Sequence, residues 1–276
     1  MKKRTALILA IILSVSLTAC GGGQGAEGPS GDELTPVNVG ATPVPHCEIL
    51  EFVKDKMADR GYDLQIVEFT DYVMPNQATE TGELDANFFQ HVPYMDDFNE
   101  NNGTHLVSVF PVHFEPYGLY PGRVAAVSAL PDGAIIAVPN DATNEARALA
   151  LLEAAGLIKL AEGAGLMATI NDITDNPKDL DIREVEAAAI PRVLPDVDMA
   201  VINGNFALQA GLNVGKDAVA VEDKESIGAV TFANPIVVKE GNENNPGVLA
   251  LIDVLKSDDV REFINEKYEG GVVPVF

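Results

Sequence analysis

The sequence predicts an α/β fold with mostly parallel sheets, arranged as two lobes. Strand-like segments alternate with segments of helical apolar spacing along most of the chain, as in strands joined by helical crossovers. The segment GAIIAVP (133–139) is apolar almost throughout, which is typical of a parallel strand covered on both faces. Some 240 residues follow the N-terminal region, enough for one large domain or two smaller lobes.

The individual elements follow from local pattern. In segment 46–61, Ile49, Val53 and Met57 are spaced by four residues, and Gly61 stands where a helix would end. Other predicted helices are NEARALALLEAAGL (144–157) and one or two helices within 247–268. The predicted strands are PVNVGA (36–41), DLQIVEF (63–69), THLVSVF (104–110), GAIIAVP (133–139), DLDIREV (179–185) and DMAVING (198–204).

The first 19 residues have the pattern of a secretory signal peptide. Three cations at positions 2–4 precede a short apolar run at 6–17, which is too short to be taken for a membrane-spanning helix. The run ends in LTAC, which resembles a bacterial lipobox with Cys20 as the lipidated residue. The alternative is an ordinary cleaved signal followed by a cysteine without a role.

Residues 20–34 predict a flexible tether. The segment is glycine-rich and holds no apolar residue larger than alanine before Leu34, so it cannot bury enough surface to order itself. A tether behind a lipidated cysteine would hold the folded body outside the cell membrane, either in a periplasm or on the outer surface.

The charge balance narrows the range of partners. The formal net charge is −24, and loss of the three N-terminal cations would make it about −27. Such a surface repels nucleic acid and anionic lipid, so we expect neither as a partner. After Cys20 is modified, Cys47 is the one remaining cysteine, which excludes an intramolecular disulfide. We expect Cys47 to be a small buried hydrophobe.

Polar residues follow several predicted strands, at the sheet edge where α/β proteins hold ligands. After strand 133–139 come Asn140, Asp141 and a helix start whose amides favour an anion, with Arg147 in its first turns. An equally weighted alternative is that the polar residues cap the helix while Arg147 pairs with Glu145 or Glu184. INGN (202–205) and TFAN (231–234) place further amides, and Asn205 fits a turn or cap better than Asn203 does.

Aromatic and histidine side chains predict an apolar end for the same site. The set is Phe69, Tyr72, Phe88, Phe89, Tyr94, Phe114, Tyr117, His91 and His113. Successive strand residues face opposite ways, so only one of Phe88 and Phe89 can face a cavity, and we expect that residue to be Phe89. An arginine at one end and rings at the other suit a free amino acid with an apolar or thioether side chain.

Metal binding and catalysis are less well supported. His46, His91, His105 and His113 make a zinc site with carboxylates conceivable, but they lack helical HxxxH spacing and a His-rich loop. The sequence also lacks GxSxG, HExxH and P-loop motifs. We therefore expect a binding protein, not an enzyme, with no cofactor and no metal.

The chain resembles the NlpA family of methionine-binding lipoproteins, which feed an ABC importer. The resemblance rests on VGATPVPHCEILE, VEFTDYVMPNQA, GELDANFFQHVPYMDDFN, VHFEPYGLY, IAVPNDATNEARALALLEAAGLIKL, DVDMAVINGNFALQAGL and GGVVPVF, in the family's order. It implies a type II periplasmic-binding-protein fold whose two α/β lobes close over a cleft. Lobe 1 would comprise 35–113 plus 235–276, and lobe 2 would comprise 114–234. The expected partners are methionine, the importer's permease and ATPase, and the membrane through the lipid anchor only.

The resemblance also implies roles for individual residues. Arg147 would bind the ligand carboxylate, and Asn203 and Asn234 would take its ammonium and carboxylate groups. The ligand side chain would lie among Phe69, Tyr72, Phe89, His91, Tyr94 and His113. Asn140, at the helix start, completes the expected set. Three positions depart from the usual pattern: Cys47 replaces a small residue, Phe114 a tyrosine and Ala146 a glycine. L-methionine is the favoured ligand, with D-methionine, methionine-containing dipeptides and zinc as alternatives.

Overall fold

The structure, a computed structural model, describes residues 34–223 and 231–276. The predicted signal peptide (1–19), Cys20 and the tether up to residue 33 lie outside the described residues. In the described part of the chain, no helix is both long enough and apolar enough to cross a membrane.

The first lobe is built on a six-stranded sheet in the order β13-β4-β12-β3-β1-β2. Its strands are β1 (Thr35–Ala41), β2 (Tyr62–Glu68), β3 (Ala86–Phe88), β4 (Leu106–Phe114), β12 (Ala233–Lys239) and β13 (Val273–Pro274). Its helices are α1 (Glu48–Ala58), α2 (Met74–Thr81), α3 (Val92–Asn102), α8 (Pro246–Leu255) and α9 (Asp258–Tyr268). The sequence predicts one or two helices within 247–268, and the structure has two there, α8 and α9.

Helix α1 has the amphipathic spacing that the sequence predicts. Ile49, Val53 and Met57 are fully buried, together with Leu50, and they join one hydrophobic core with strand β1 and helices α8 and α9. Burying side chains of this size contributes about 1.5–3 kcal/mol each. Cys47, immediately before the helix, is buried and unpaired in this core, as predicted.

The second lobe is built on a five-stranded sheet in the order β11-β5-β10-β6-β9. Its strands are β5 (Gly118–Pro121), β6 (Ile135–Pro139), β9 (Asp181–Val185), β10 (Met199–Ile202) and β11 (Ala220–Val221). A separate small hairpin is formed by β7 (Lys159–Leu160) and β8 (Ile173–Asp175). The helices are α4 (Ala142–Ala154), α5 (Ile190–Val193), α6 (Gly204–Gln209) and α7 (Val214–Asp217).

The expectation of mostly parallel sheets is wrong, because both sheets are mixed. Strand β1 runs parallel to β2 and β3, and β6 runs parallel to β9 and β10. By contrast, β12 is antiparallel to β3 and β4, and β5 is antiparallel to β10 and β11. The chain leaves the first sheet through β4 and returns to it through β12. An outgoing and a returning strand that lie side by side must run in opposite directions.

This topology gathers several strand ends at one edge of each sheet. In the first sheet, the carboxyl end of β4 pairs with the start of β12, so that His113 lies opposite Asn234. In the second sheet, the carboxyl end of β10 at Ile202 pairs with the start of β5 at Gly118. The loops that follow or precede these ends therefore bring residues distant in sequence to a common place.

Candidate functional site

One cavity of about 330 Å³, counting its opening to solvent, collects most of the predicted site residues. Seven of the ten line it: Tyr72, Phe89, His91, Tyr94, Arg147, Asn203 and Asn234. Its other lining residues are Gln90, Glu115, Tyr117, Asn144, Gly204 and Asn205. Because both lobes contribute side chains, the cavity lies between them.

Three predicted residues do not line this cavity. Phe69 packs against the backbone of Gly40, where an added Cβ would lie only 2.9 Å from its ring. His113 is completely buried behind Glu115. Asn140 lies beside a second, neighbouring cavity. Helix α4 begins only at Ala142, and its N-cap is Asp141, whose side chain accepts from the backbone of Asn144.

Arg147 forms the cationic end of the cavity. Its Nη2 donates to the backbone carbonyl of Glu115 at 2.8 Å and to Glu222 Oε2 at 2.5 Å. Its Nε donates to both oxygens of Glu222 at 3.1 Å. The alternative pairing with Glu145 or Glu184 is therefore wrong, because Glu222 is the carboxylate partner. The bonds to described residues use Nε and Nη2, so the fork can still offer Nη1 to a ligand.

Aromatic rings hold the guanidinium in this position. Its central carbon lies 3.9 Å from the centre of the Tyr117 ring and 4.4 Å from that of Phe232. Such cation–π contacts fix the plane of the fork while leaving its edge free to donate. The ring of Phe114 is 5.3 Å away and fully buried, and it does not line the cavity. This departure from the family pattern therefore lies behind the cavity wall and not in it.

Two residues that line the cavity each carry a buried amide atom without a hydrogen-bond partner among the described residues. The two atoms are Oδ1 of Asn203, an acceptor, and Nδ2 of Asn205, a donor. Burying a polar atom in this way costs about 1–3 kcal/mol unless a partner arrives. A bound ammonium group would satisfy the first atom and a bound carboxylate the second.

Glu115 adds a carboxylate beside these amides. Burial raises the pKa of Glu115 above its ordinary value, while the nearby His46 and Arg147 act in the opposite direction. Gly204 lies directly against this side chain, because an added Cβ would approach Glu115 Cβ to 2.6 Å. Glycine at 204 therefore gives the carboxylate the space it occupies.

The opposite end of the cavity is aromatic. The ring of Tyr72 lies 5.7 Å from each of Phe89 and Tyr94, and 5.0 Å from Phe206. Phe89 lines the cavity whereas Phe88 is fully buried in the first lobe's core, as the alternation of side chains predicts. This wall offers ring faces and edges to an apolar or sulfur-containing side chain.

Hydrogen bonds through the cavity wall join the two lobes. The Tyr72 hydroxyl donates to Asn205 Oδ1 at 2.6 Å. His91 Nε2 lies 3.1 Å from Asn144 Oδ1, which also accepts from the Tyr117 hydroxyl. Burial and the nearby Arg147 lower the pKa of His91 to about 3, so the ring is neutral and donates through Nε2. These contacts hold the lobes together around the cavity.

Four polar lining residues are absent from the site that the sequence predicts: Gln90, Glu115, Asn144 and Asn205. Tyr117 belongs to the predicted aromatic set, but it lies under the guanidinium of Arg147 and not at the apolar end. The sequence places Asn144 at the start of the predicted helix 144–157 and favours a turn or cap for Asn205, because amides most often serve those purposes. The signal that could have identified Glu115 is its place in HFEPY, directly after the long strand β4. An acidic residue next to a buried strand end needs a partner.

With this geometry established, known proteins offer a direct comparison. The family model described as NlpA lipoprotein matches residues 37–276. The chain belongs to the NlpA lipoprotein family. Its type II periplasmic-binding-protein fold, with two α/β lobes, is thereby confirmed.

NlpA relatives match the chain over nearly its full length. A protein of Escherichia coli strain K12 named D-methionine-binding lipoprotein MetQ is 39% identical, with coverage of 98% of this chain and 97% of the relative. A solved nutrient binding protein from Burkholderia cenocepacia bound to methionine is 42% identical with a TM-score of 0.83, covering 87% of this chain and 100% of that one. A solved ABC transporter periplasmic substrate-binding protein from Coxiella burnetii is 40% identical with a TM-score of 0.81, at the same coverage.

Proposed function

We propose that this chain is an extracytoplasmic lipoprotein that captures methionine and delivers it to an ABC importer. The observation that carries the proposal is one cavity between the lobes with a buried arginine at one end and three aromatic rings at the other. The relatives named for methionine binding, and the one solved with methionine bound, support the same ligand. A binding role without chemistry on the ligand suits this arrangement.

In the proposed pose, the methionine carboxylate meets Nη1 of Arg147 and the free Nδ2 of Asn205. The ammonium group meets Oδ1 of Asn203 and the carboxylate of Glu115. Asn234 lines the same polar end, where its amide can serve either group. The contacts with Asn203 and Asn205 supply partners for two buried polar atoms that lack one among the described residues, which is why a zwitterion fits better than an ion of one charge.

The thioether of the ligand would then lie against Tyr72, Phe89 and Tyr94. A sulfur about 5 Å from a ring contributes roughly 0.3–1.5 kcal/mol per contact. His91 is neutral and contributes a ring edge rather than a charge to this end of the cavity. Phe69 and His113 act as packing behind the wall in this proposal, and Asn140 belongs to the second, neighbouring cavity.

The proposed path of the ligand includes a membrane anchor and an importer. Lipidation of Cys20 would place the body at the outer face of the cell membrane, with residues 20–34 as tether. The importer's permease would receive the methionine and its ATPase would act through the permease; the relative named as an ABC transporter binding protein supports this role. We propose lobes of 35–113 plus 235–276 and of 114–234; the division of the strands between two sheets supports this, although Phe114, Ala233 and Asn234 belong to strands of the first sheet.

Calorimetry tests the ligand and its stereochemistry. The protein is unfolded and refolded to remove any retained ligand, then titrated with L-methionine, D-methionine and leucine. We expect one-to-one saturation by L-methionine and weaker binding of leucine, which has no sulfur. Preference for the D-enantiomer would keep the cavity assignment but reverse the expected stereochemistry. Equal binding of leucine and both methionines would contradict a thioether-specific wall.

A further inference from the structure

Behind the polar end of the cavity, two histidines and a glutamate converge on one point. His46, His113 and Glu115 each offer a ligand atom, and these atoms all lie within 4.8 Å of one another. His113 Nε2 is 2.8 Å from Glu115 Oε1, and His46 Nε2 is 3.4 Å from the same oxygen. All three side chains are buried, with relative exposures of 0%, 0% and 5%. Both histidines are among the four that make a zinc site conceivable from the sequence, but 67 positions separate them, so no local spacing pairs them with each other or with Glu115.

The two separations that involve Glu115 are close to those of a tetrahedral zinc site, and the two histidine nitrogens, within 4.8 Å of each other, would have to approach by up to about 1.5 Å. With Zn–N and Zn–O bonds of about 2.0–2.2 Å, neighbouring ligand atoms lie roughly 3.3 Å apart. The distance from His46 to Glu115 already has this value, and the hydrogen bond from His113 to Glu115 would lengthen by about 0.5 Å. Two imidazoles and one carboxylate are a donor set that zinc takes when its fourth position stays open. We propose that His46, His113 and Glu115 form a binding site for a divalent transition-metal ion such as Zn²⁺.

The surrounding contacts fit this role. His46 Nδ1 lies 2.7 Å from the Thr42 hydroxyl, which orients the ring and presents Nε2 to the cluster. Nδ1 of His113 has no hydrogen-bond partner in the described parts of the chain, 34–223 and 231–276. Its proton can therefore move from Nε2 to Nδ1 without breaking an existing bond at Nδ1. Because Glu115 also lines the cavity, the fourth position of the ion would face that cavity.

The metal ion and methionine would each weaken the binding of the other; this expectation rests on the proposed function, in which methionine occupies the cavity. Both need Glu115: the metal as a ligand, and methionine as a partner for its ammonium group. The metal ion and the ammonium group of methionine would both lie beside Glu115, and two cations so close together repel each other in a buried site. Arg147 donates to the Glu115 carbonyl at 2.8 Å and adds a third positive charge nearby. We therefore expect the site to bind the metal more weakly than a dedicated zinc protein does.

The metal arm of the test uses the full-length protein after chelator treatment. Zn²⁺ is titrated calorimetrically, and Co²⁺ is added while the visible absorption of tetrahedral cobalt is recorded. We expect one ion per chain and loss of at least tenfold in affinity in both His46→Gln and His113→Gln, each checked for folding by circular dichroism. His105→Gln is the matched control, since that ring is 64% exposed and pairs with Glu80 at the surface.

No saturable zinc binding, or the same loss in His105→Gln as in His113→Gln, would overturn the site. If both cluster variants unfold, the cobalt spectrum of the wild-type protein decides: octahedral, oxygen-type absorption would refute a site with two imidazoles. The second arm measures methionine binding with and without saturating Zn²⁺, where we expect at least a tenfold rise in apparent Kd. Unchanged methionine affinity in the zinc-loaded protein would refute the competition. Absence of methionine binding in metal-free protein would instead count against the proposed function. The zinc titration would still decide, by itself, whether the metal site exists.

Discussion

Replacing Arg147 by alanine removes the buried cation from the proposed methionine cavity. The side chain is 5% exposed and makes hydrogen bonds to Glu222 and to the carbonyl of Glu115. In the variant, a ligand carboxylate would lose its charge-assisted partner, and the carboxylate of Glu222 would lose its cation as well. We therefore expect both weaker ligand binding and a lower melting temperature.

The magnitude follows from the burial of the pair. Removing one partner of a buried, hydrogen-bonded charge pair costs about 2–4 kcal/mol, which corresponds to a loss in affinity of about 30-fold to nearly 1000-fold. Arg147→Lys keeps the charge but loses the planar fork and its stacking on Tyr117 and Phe232, so an intermediate loss is expected. Glu222→Gln is the matched control, since it preserves the arginine and alters only its neighbour.

The assay is calorimetric titration with L-methionine, with folding of each variant checked by thermal unfolding. We expect affinity to fall from wild type to Glu222→Gln, then to Arg147→Lys, and furthest in Arg147→Ala. If Arg147→Ala is folded and binds methionine with the wild-type Kd, the assignment of the carboxylate to this arginine is refuted.

Three further predictions concern other parts of the cavity. Gly204→Ala forces a Cβ to within 2.6 Å of Glu115 Cβ, so we expect a loss of about 1–3 kcal/mol in unfolding free energy, measured by denaturant titration. Tyr72→Phe removes the hydroxyl that donates to Asn205 Oδ1 at 2.6 Å, and calorimetry should show methionine affinity reduced by about 5- to 100-fold. His91 has a folded-state pKa of about 3, below its ordinary 6.5, so its contribution to stability is present above pH 6.5 and is lost as the pH falls toward 3. Between pH 7 and 5, His91 accounts for a fall of about 2 kcal/mol in the free energy of unfolding. His91→Gln should therefore show a correspondingly weaker dependence of the unfolding free energy on pH, measured by chemical unfolding.

Each of these predictions has a control. Gly211→Ala lies in open space at a positive φ, so it tests backbone strain without a clash. Tyr94→Phe removes a hydroxyl that donates to the Tyr72 carbonyl at 3.2 Å, a bond that does not cross between lobes, and a methionine affinity as low as that of Tyr72→Phe would argue against the interlobe contact. For His91 the comparison is the wild-type protein, and a His91→Gln profile as steep as the wild-type one would contradict the burial argument.

The sequence predicts local structure well because hydrophobic spacing is a local property. The helix expected at 144–157 is Ala142–Ala154, and the strand expected at 133–139 is Ile135–Pro139. The distinction between Phe88 in the core and Phe89 in the cavity follows from the two-residue period of a strand. In these cases the deciding information lies within a few residues of the position concerned.

Contacts between distant residues explain what the sequence alone did not predict. Glu222, the partner of Arg147, is 75 positions away, and His46 approaches Asn234 across 188 positions. No local pattern encodes such pairs, because the folding of two lobes brings them together. The same reason explains the sheet direction, since the antiparallel pairing of β4 and β12 depends on where the chain returns from the second lobe.

The most direct test of the proposed function is mass spectrometry of the small molecule released when the purified, unrefolded protein is denatured. A cavity closed by hydrogen bonds between lobes should retain its ligand through purification. The account predicts methionine, at up to one molecule per chain, and uptake of L-methionine by the refolded protein. Stoichiometric release of a different small molecule, with no uptake of methionine after refolding, would contradict it.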